Sequence, residues 1–317
     1  MNEQVGNNPG VQHVGVSGDE AGQRIDNYLM ARLKGVPRSR IYRILRKGEV
    51  RVNKGRVGPS YKLRAGDSVR IPPVKTGDAA PAPRASDGLR ERLEGAVLFE
   101  NDGVLVLDKP AGMAVHGGSG VNQGVIENLR AVRPDARFLE LVHRLDRETS
   151  GCLLIAKKRS WLRALHAELR EGRVDKRYWA LVRGRWQGGR TNAPLQRNVR
   201  RSGERVVQVD PEGQAARTRF SALENHPGAT LMEAVLDTGR THQVRVHAAH
   251  AGHPLAGDDK YGDDAFNREL RRHGLERLFL HAHHIGLTLP DGGELSVSAP
   301  LEPGLQRVLD SLNREDP

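Results

Sequence analysis

Apolar residues in the first part of the chain follow helical spacing and then alternate. Residues 22–33 carry apolar side chains at helical spacing, and a second helix is predicted to begin at Ser39, a suitable N-cap, and to end at Gly48. Apolar and polar residues then alternate in 50–53 and again in 67–72, which predicts short strands. The predicted order is therefore two helices followed by strands.

The longer second part of the chain is predicted to be rich in strands. Residues 96–110 form two apolar arms around Glu-Asn-Asp-Gly, which predicts a hairpin of central strands. A helix is predicted over 160–172. The later segments are predicted as strands over 177–184, 218–222 and 230–236, and as a strand, a glycine turn and a helix over 237–247. Because strands outnumber helices and no βαβ repeat occurs, the predicted fold class is α+β with a mainly antiparallel or mixed sheet.

Two segments without apolar periodicity divide the chain into domains. Residues 1–18, rich in Gly and Asn, are predicted to form a flexible tail. Residues 76–92, rich in Pro and Ala, are predicted to form a linker. The predicted domains are therefore residues 19–75 and residues 93–317.

Charge separates the two predicted domains. The 317 residues carry a net charge of +11. Between Arg24 and Lys75 there are 15 Lys or Arg against 3 Asp or Glu, so this segment holds a surplus of 12 and the other residues are close to neutral. Such a concentrated surplus is typical of a module that binds a polyanion. A disordered basic arm is the alternative, but the amphipathic helix that ends at Gly48 favours a folded surface that contacts phosphates.

Composition argues against several classes of protein. No apolar run is long enough to span a bilayer, and residues 1–18 lack the basic and apolar segments of a secretory signal. The chain has one cysteine, Cys152, so no intramolecular disulfide can form, which fits a reducing cytoplasm. Cys152 opens an apolar run, and we expect a buried, unreactive thiol.

A polar cluster between two apolar runs is the strongest candidate for chemistry. Residues 141–151 have the sequence Leu-Val-His-Arg-Leu-Asp-Arg-Glu-Thr-Ser-Gly. Spacing alone leaves two interpretations open, a charged surface loop and a functional site. An aspartate among basic neighbours, as at Asp146, is compatible with a structural salt bridge as well as with a catalytic carboxylate.

Two other chemistries lack the motifs that normally accompany them. The histidines within residues 281–284 suggest a metal site, but no His-Glu-x-x-His pattern occurs in the chain. Ser150 could act as the nucleophile of a hydrolase, but no Gly-x-Ser-x-Gly elbow is present. We therefore expect no metal, and we retain the hydrolase only as an alternative.

Short motifs in the basic segment resemble the S4 RNA-binding domain. They are Arg24-Ile25-Asp26, Ser39-Arg40-Ile41, residues 48–53 and residues 63–67, and they occur in the order and at the distances found in that domain. The resemblance implies binding to structured RNA, which such domains recognise mainly through backbone and shape. It also makes Arg40 and Arg43, on the outer face of the second helix, candidates for RNA contacts.

Motifs in the second domain resemble the RluA-type pseudouridine synthases. The segment His143–Gly151 is similar to the catalytic motif of that family, with Glu148 where Asp is usual. The other matching segments are residues 108–112, 176–182, 239–247 and 279–282. His283 and His284 stand where the family usually has apolar or small residues, so we expect no role for them.

The resemblance implies three catalytic residues. Asp146 would be the catalytic carboxylate, either by covalent attack on the sugar or base or by deprotonating the sugar. Tyr178 would stack on the uracil and could take part in removing the C5 proton. Arg245 would pair with Asp146. From the residues alone, a core tyrosine and a surface arginine remain alternatives for the last two.

The resemblance also implies residues that bind the substrate. Arg144 would help to fill the space that a flipped-out base leaves, and His143 and Thr149 belong to the same motif. With Arg40 and Arg43 from the basic domain, these are the candidates for contacts with RNA.

The implied reaction is the isomerisation of specific uridines in 23S ribosomal RNA to pseudouridine, on nucleotides flipped out of the stack. Nothing is transferred from outside, so no cofactor is implied. The protein is expected to be a cytoplasmic monomer whose partner is ribosomal RNA. The alternative is a non-catalytic, ribosome-associated RNA-binding factor. Such a protein would be expected to lose Asp146, Tyr178 or Arg245, and all three are present.

Overall fold

The computed structural model describes residues 10–33, 35–74, 86–117, 123–199 and 205–314. The chain divides into two compact units, residues 1–84 with 158–160, and residues 85–157 with 161–317. Most of the predicted linker, 76–92, lies outside the described residues. Its last part is helical, because Ser86 caps a helix by accepting a hydrogen bond from the Leu89 N–H, so the linker prediction is wrong for residues 87–92.

Two helices and a four-stranded antiparallel sheet form the first unit. Its elements are β1 (Gln12–Gly15), α1 (Ile25–Arg32), α2 (Arg38–Arg46), β2 (Arg51–Val52), β3 (Gly55–Arg56) and β4 (Ser68–Ile71). The strand order is β1-β4-β2-β3. The apolar faces of both helices pack on the strands in one core, which includes Leu29, Ile41, Ile44 and Val69.

Two predictions for this unit are wrong. The flexible tail predicted for residues 1–18 is wrong from Gln12 onward, where β1 pairs with β4, while residues 1–9 lie outside the described residues. Hydrogen bonds to a strand more than fifty residues away hold β1, and a local apolar pattern does not contain that information. The N-cap predicted at Ser39 is also wrong, because α2 begins after Pro37, whose ring presets the backbone angle at the helix start.

A large mixed sheet with helices forms the second unit. Its helices are α3 (Asp87–Gly95), α4 (Val125–Val132), α5 (Arg159–Arg170), α6 (Gln243–His250), α7 (Asp264–Arg272) and α8 (Pro303–Asn313). Its sheet strands are β5 (Val97–Glu100), β6 (Val104–Lys109), β7 (Glu140–Leu141), β8 (Ser150–Ala156), β9 (Asp175–Arg183), β10 (Gly188–Asn192), β13 (Arg217–His226), β14 (Ala229–Leu236), β15 (Leu280–Thr288) and β16 (Glu294–Ser298). The two remaining strands, β11 (Leu195–Val199) and β12 (Arg205–Val209), form a separate hairpin.

The sheet places its central strands between two apolar layers. The strand order is β10-β13-β14-β9-β15-β8-β6-β5, with β16 beside β15 and β7 beside β8. Strands β8 and β15 are parallel, and the other pairs described are antiparallel. Val104 and Val106 enter one core while Leu105 and Leu107 enter the other, which explains why β6 is apolar throughout.

Most predicted elements of this unit are confirmed. The hairpin predicted over 96–110 is β5–β6, the helix over 160–172 is α5, and the strand over 177–184 is β9. The α+β class with a mixed sheet is confirmed as well. The β11–β12 hairpin was not predicted. No helix among the described residues is both long and apolar enough to cross a membrane.

Candidate active site

Asp146 lies in a turn between β7 and β8, in the wall of a small cleft. The Thr149 N–H donates a hydrogen bond to the Asp146 carbonyl oxygen at 3.2 Å, which closes the turn. The Asp146 side chain is 18% exposed, so its carboxylate is accessible yet partly shielded from water. The other residues that line the cleft are Arg144, Leu145, Thr149, Tyr178, Leu236, Arg240, His242, Gln243, Val244 and Leu280.

A buried lysine anchors this turn to the end of β6. The Lys109 ammonium, which is fully buried, donates to the carbonyl oxygens of Pro110, Met113 and Arg147 at 2.9 to 3.0 Å. Burial lowers the pKa of Lys109 to about 8. Its three donors are all used, so Lys109 fixes the backbone next to Asp146 and does not itself project into the cleft.

Further hydrogen bonds hold the same turn on two sides. The Gly112 N–H donates to the Arg147 carbonyl at 2.9 Å, and the Arg147 Nε–H donates to the Gly112 carbonyl at 2.9 Å. Arg277 donates to the Ser150 hydroxyl at 2.9 Å and to the Glu148 carbonyl at 3.3 Å. The turn is therefore fixed by contacts from distant parts of the chain.

Tyr178 forms a second wall of the cleft. It lies on β9 with its side chain facing the core that contains Leu145 and Leu280, and it is 8% exposed. Burial, followed by the charge of Asp146, raises the pKa of the Tyr178 phenol. The phenol therefore keeps its proton at neutral pH.

Helix α6 brings two cationic or polar side chains to Asp146. His242 caps the helix in a left-handed backbone conformation, and Arg245 follows three residues later on the same face. The His242 Nε2 and the Arg245 Nη1 each lie 3.8 Å from the Asp146 Oδ2. Burial lowers the pKa of His242, and the nearby Asp146 opposes that effect.

The tight partner of Arg245 is another carboxylate. Its Nε and Nη2 both donate to Asp258 at 2.7 Å, in a bidentate pair. Burial alone would lower the pKa of Arg245, but the bonds to Asp258 outweigh it and raise that pKa. The expected ion pair of Arg245 with Asp146 is therefore present at 3.8 Å, but Arg245 is held in place by Asp258.

The predicted substrate-binding residues fall into three groups. Arg144, which is exposed, and Thr149, which is buried, both line the cleft. His143 does not line it, because its Nε2 accepts a hydrogen bond from the Leu154 N–H and burial lowers its pKa to about 4. Arg40 and Arg43 are exposed on α2 of the first unit.

The geometry disfavours the hydrolase alternative. The hydroxyl of Ser150 is buried and hydrogen-bonds the His281 Nδ1 at 2.9 Å, while the His281 Nε2 faces the Ala299 carbonyl, not a carboxylate. Burial lowers the pKa of His281 to about 4, so the ring is a poor base at neutral pH. The hydrogen bonds of Ser150 therefore indicate a structural role and not that of a nucleophile. Cys152, as expected, is buried, and its pKa is raised to about 12.

Over the described ranges, no cluster of three or more His, Cys, Asp or Glu is placed to hold a metal ion. His283 and His284 instead lie near Glu233 and Asp175 respectively.

Sequence reasoning assigned no role to several residues around Asp146. The matched segment 239–247 contains Arg240, His242 and Gln243. Membership of that segment is the feature of the sequence by which a role for them could have been predicted. Gln243 links this segment to β13, since it accepts from Thr238 and Arg240 and donates to Arg217 and Thr218. Asp258 and Tyr261 lie outside the matched segments, and no local pattern distinguishes them.

Known RNA pseudouridine synthases share the sequence and the fold of this chain. The profile of the RNA pseudouridylate synthase family matches residues 103–250, and that of the S4 domain matches residues 23–69. A solved structure, human RNA pseudouridylate synthase domain containing 4, is 26% identical with a TM-score of 0.60, over 71% of this chain and 96% of that one.

Close relatives show the family over nearly the whole chain. The ribosomal large subunit pseudouridine synthase C of Pasteurella multocida (strain Pm70) is 56% identical over 312 residues, which cover 97% of this chain and 96% of the relative. The protein of the same name from Escherichia coli (strain K12) is 55% identical over 315 residues, 96% of this chain and 97% of the relative. The chain therefore belongs to the RNA pseudouridylate synthase family, as the resemblance implied.

Proposed function

We propose that the protein converts specific uridines of 23S ribosomal RNA to pseudouridine in the cytoplasm, as a monomer and without a cofactor. The observation that carries the proposal is the Asp146 carboxylate, which lies 3.8 Å from both His242 and Arg245 in a cleft walled by Tyr178. The names of the close relatives support the large ribosomal subunit as the source of the RNA.

The reaction needs no atoms from outside the substrate. The N1–C1′ bond of the nucleotide breaks, the base turns, and a C5–C1′ bond forms. The C5 carbon loses its proton and N1 gains one, so the product is an isomer of the uridine. A carboxylate, an aromatic surface and a means of moving one proton are therefore sufficient.

Asp146 supplies the carboxylate in this proposal. The Nε and Nη2 of Arg245 donate to Asp258. The positive guanidinium is therefore near the Asp146 oxygens, but it makes no short hydrogen bond to them. They remain available either to attack the substrate or to remove a proton from its sugar, and both routes require an unprotonated carboxylate.

Tyr178 supplies the aromatic surface. Its ring stacks on the flipped uracil, and its protonated hydroxyl donates to the substrate. Since its pKa is raised, the phenol does not begin the reaction as a phenolate. A role in removing the C5 proton therefore requires an acceptor for the phenol proton as well. Arg144, exposed at the edge of the cleft, takes the space that the base leaves.

The test is to replace Asp146 with asparagine, which keeps the shape of the side chain and removes its charge. We expect unchanged RNA binding and a rate of pseudouridine formation lower by at least about 10⁴-fold. Tritium release from RNA labelled at uridine C5 measures the rate, and filter binding measures the affinity. Glu148→Gln, in the same turn, is the control and should stay close to wild type. Substantial turnover by Asp146→Asn would overturn the assigned role.

A further inference from the structure

Tyr261 contacts both residues that face Asp146. Its hydroxyl hydrogen-bonds the Nδ1 of His242 at 2.8 Å, and its ring centroid lies 5.0 Å from the guanidinium carbon of Arg245. The same hydroxyl accepts a hydrogen bond from the backbone N–H of Val207, at 2.9 Å. Tyr261 thus connects α6 with β12 directly behind the cleft.

These contacts determine where the protons lie. The Val207 N–H can only donate, so it occupies one lone pair of the Tyr261 oxygen. If the phenol proton points to the His242 Nδ1, then the ring carries its own proton on Nε2, which faces the Asp146 Oδ2 at 3.8 Å. In the other tautomer, a nitrogen lone pair would face the Asp146 oxygen, and the phenol proton would have no acceptor among the described residues.

We propose that Tyr261 is a positioning residue, which holds His242 with its Nε2–H toward Asp146 and links that arrangement to the position of the β11–β12 hairpin. The proposal rests on the catalytic role proposed for Asp146. In active sites, a hydrogen bond from a neighbouring group commonly fixes which nitrogen of an imidazole carries the proton.

The hairpin is joined to the site through its apolar base. Leu195 and Val207 pack with Val246 of α6, and Tyr261 is packed against the same cluster. Val207 pairs with Arg197 across the hairpin. The Val207 N–H bond orients the phenol, so its loss when β12 moves away weakens the selection of the Nε2–H tautomer.

Both ring nitrogens of His242 have a defined neighbour. Asp146 lies 3.8 Å from Nε2, and the Tyr261 hydroxyl lies 2.8 Å from Nδ1. Burial lowers the pKa of the ring, Asp146 and Asp258 act to raise it, and Arg245 and Lys260 act to lower it. The carboxylate of Asp146 and the phenol proton of Tyr261 favour the same Nε2–H tautomer.

The experiment uses the full-length protein labelled with ¹⁵N-histidine. The imidazole shifts of His242, assigned by their loss in His242→Gln, should show the Nε2–H tautomer. In Tyr261→Phe, which keeps the ring beside Arg245 and removes only the hydroxyl, they should shift toward the Nδ1–H tautomer. We also expect kcat for pseudouridine formation to fall about 10- to 100-fold, with the affinity for RNA unchanged.

Two further variants make the test decisive. Tyr61→Phe removes a hydroxyl from the first unit, where it donates to Asp67 at 3.3 Å, and should change neither the His242 shifts nor kcat. Val207→Pro removes the backbone N–H and should move the His242 shifts in the same direction as Tyr261→Phe. A wild-type Nδ1–H tautomer overturns the proposal even if a variant does not fold. So does a Tyr261→Phe protein with wild-type shifts or wild-type kcat.

The tautomer measurement does not depend on turnover. If Asp146→Asn remains active while Tyr261→Phe still shifts the His242 signals, the proposed role of Asp146 fails and the coupling stands. If Asp146→Asn is inactive and Tyr261→Phe changes nothing, the coupling fails and the proposed function stands.

Discussion

At the scale of single residues, Asp146 depends on groups that do not take part in its chemistry. Asp258 holds Arg245 through two hydrogen bonds of 2.7 Å, and Lys109 holds the backbone of the turn. Each is a buried charge with its hydrogen bonds satisfied, and removing one partner of such a group is costly. The sequence identified Asp146, Tyr178 and Arg245 as candidates through matched motifs. It could not identify Asp258 or Tyr261, because their roles depend on contacts that only the folded chain creates.

His143 lies in the catalytic motif, yet its environment indicates a role in stability. Its pKa is about 4 in the folded protein against a usual value of 6.5. Between these values the unfolded chain takes up a proton that the folded chain excludes, so stability falls as the pH is lowered from about 6.5 to 4. His143→Gln keeps an acceptor for the Leu154 N–H and cannot be protonated.

We expect His143→Gln to reduce the loss of unfolding free energy between pH 6.5 and pH 4 by about 1–3 kcal/mol. Urea unfolding at several pH values in this range measures the free energy of unfolding of both proteins. His250→Gln, at an exposed position, is the control and should follow wild type. An identical pH dependence for His143→Gln and wild type would contradict this explanation.

At the scale of elements, the parallel pair β8–β15 determines where the turn that carries Asp146 ends. Ser150 pairs with His281 and Gly151 with Ala282, directly after the turn that carries Asp146. The apolar run 152–156 marks the buried strand β8, since burial on two faces leaves a local signature, whereas no strand was predicted over β15. Their parallel pairing joins residues far apart in the chain, and local periodicity contains no information about that partner.

Gly151 is required for this pairing. It has a φ of +104°, and a Cβ built on it would lie 2.3 Å from the carbonyl oxygen of Ala282. Gly151→Ala should therefore lose more than about 3 kcal/mol of stability, because backbone strain and a clash with β15 add. Gly274 has a φ of +86° with nothing within 4 Å, so Gly274→Ala tests strain alone and should cost about 1 kcal/mol. Thermal unfolding of both variants measures the difference, and equal losses would show that the clash relaxes.

At the scale of the whole molecule, charge and chemistry belong to different units. The surplus of positive charge lies in the first unit, and the cleft with Asp146 lies in the second. Composition alone was enough to predict this division, because a charge imbalance does not depend on the fold. The edge strand β1 and the helix α3 were missed because tertiary pairing and a single cap, not periodicity, define them.

This division predicts separate effects on binding and on turnover. Replacing Arg40 and Arg43 together with glutamine should weaken RNA binding and lower the slope of log K against log salt by up to about 1–2. The rate at saturating RNA should stay unchanged. The matched control is Arg90→Gln/Arg92→Gln, which removes two positive charges from exposed positions of α3 in the second unit. Salt titrations of RNA affinity measure the slopes, and a lower saturating rate in Arg40→Gln/Arg43→Gln would contradict the division.

The long-range bonds around the turn that carries Asp146 have a consequence for the newly made protein. Arg277, which bonds Ser150, follows it by 127 residues, and synthesis of that interval takes on the order of 10 s. Until then the turn lacks this bond, and Asp146 lacks Arg245 for most of that time. A chain still emerging from a ribosome is thus surrounded by ribosomal RNA while its own carboxylate is not yet held in place. The contacts that hold Asp146 therefore form late in translation, whereas residues 1–84 of the basic first unit are synthesised before any residue of the turn.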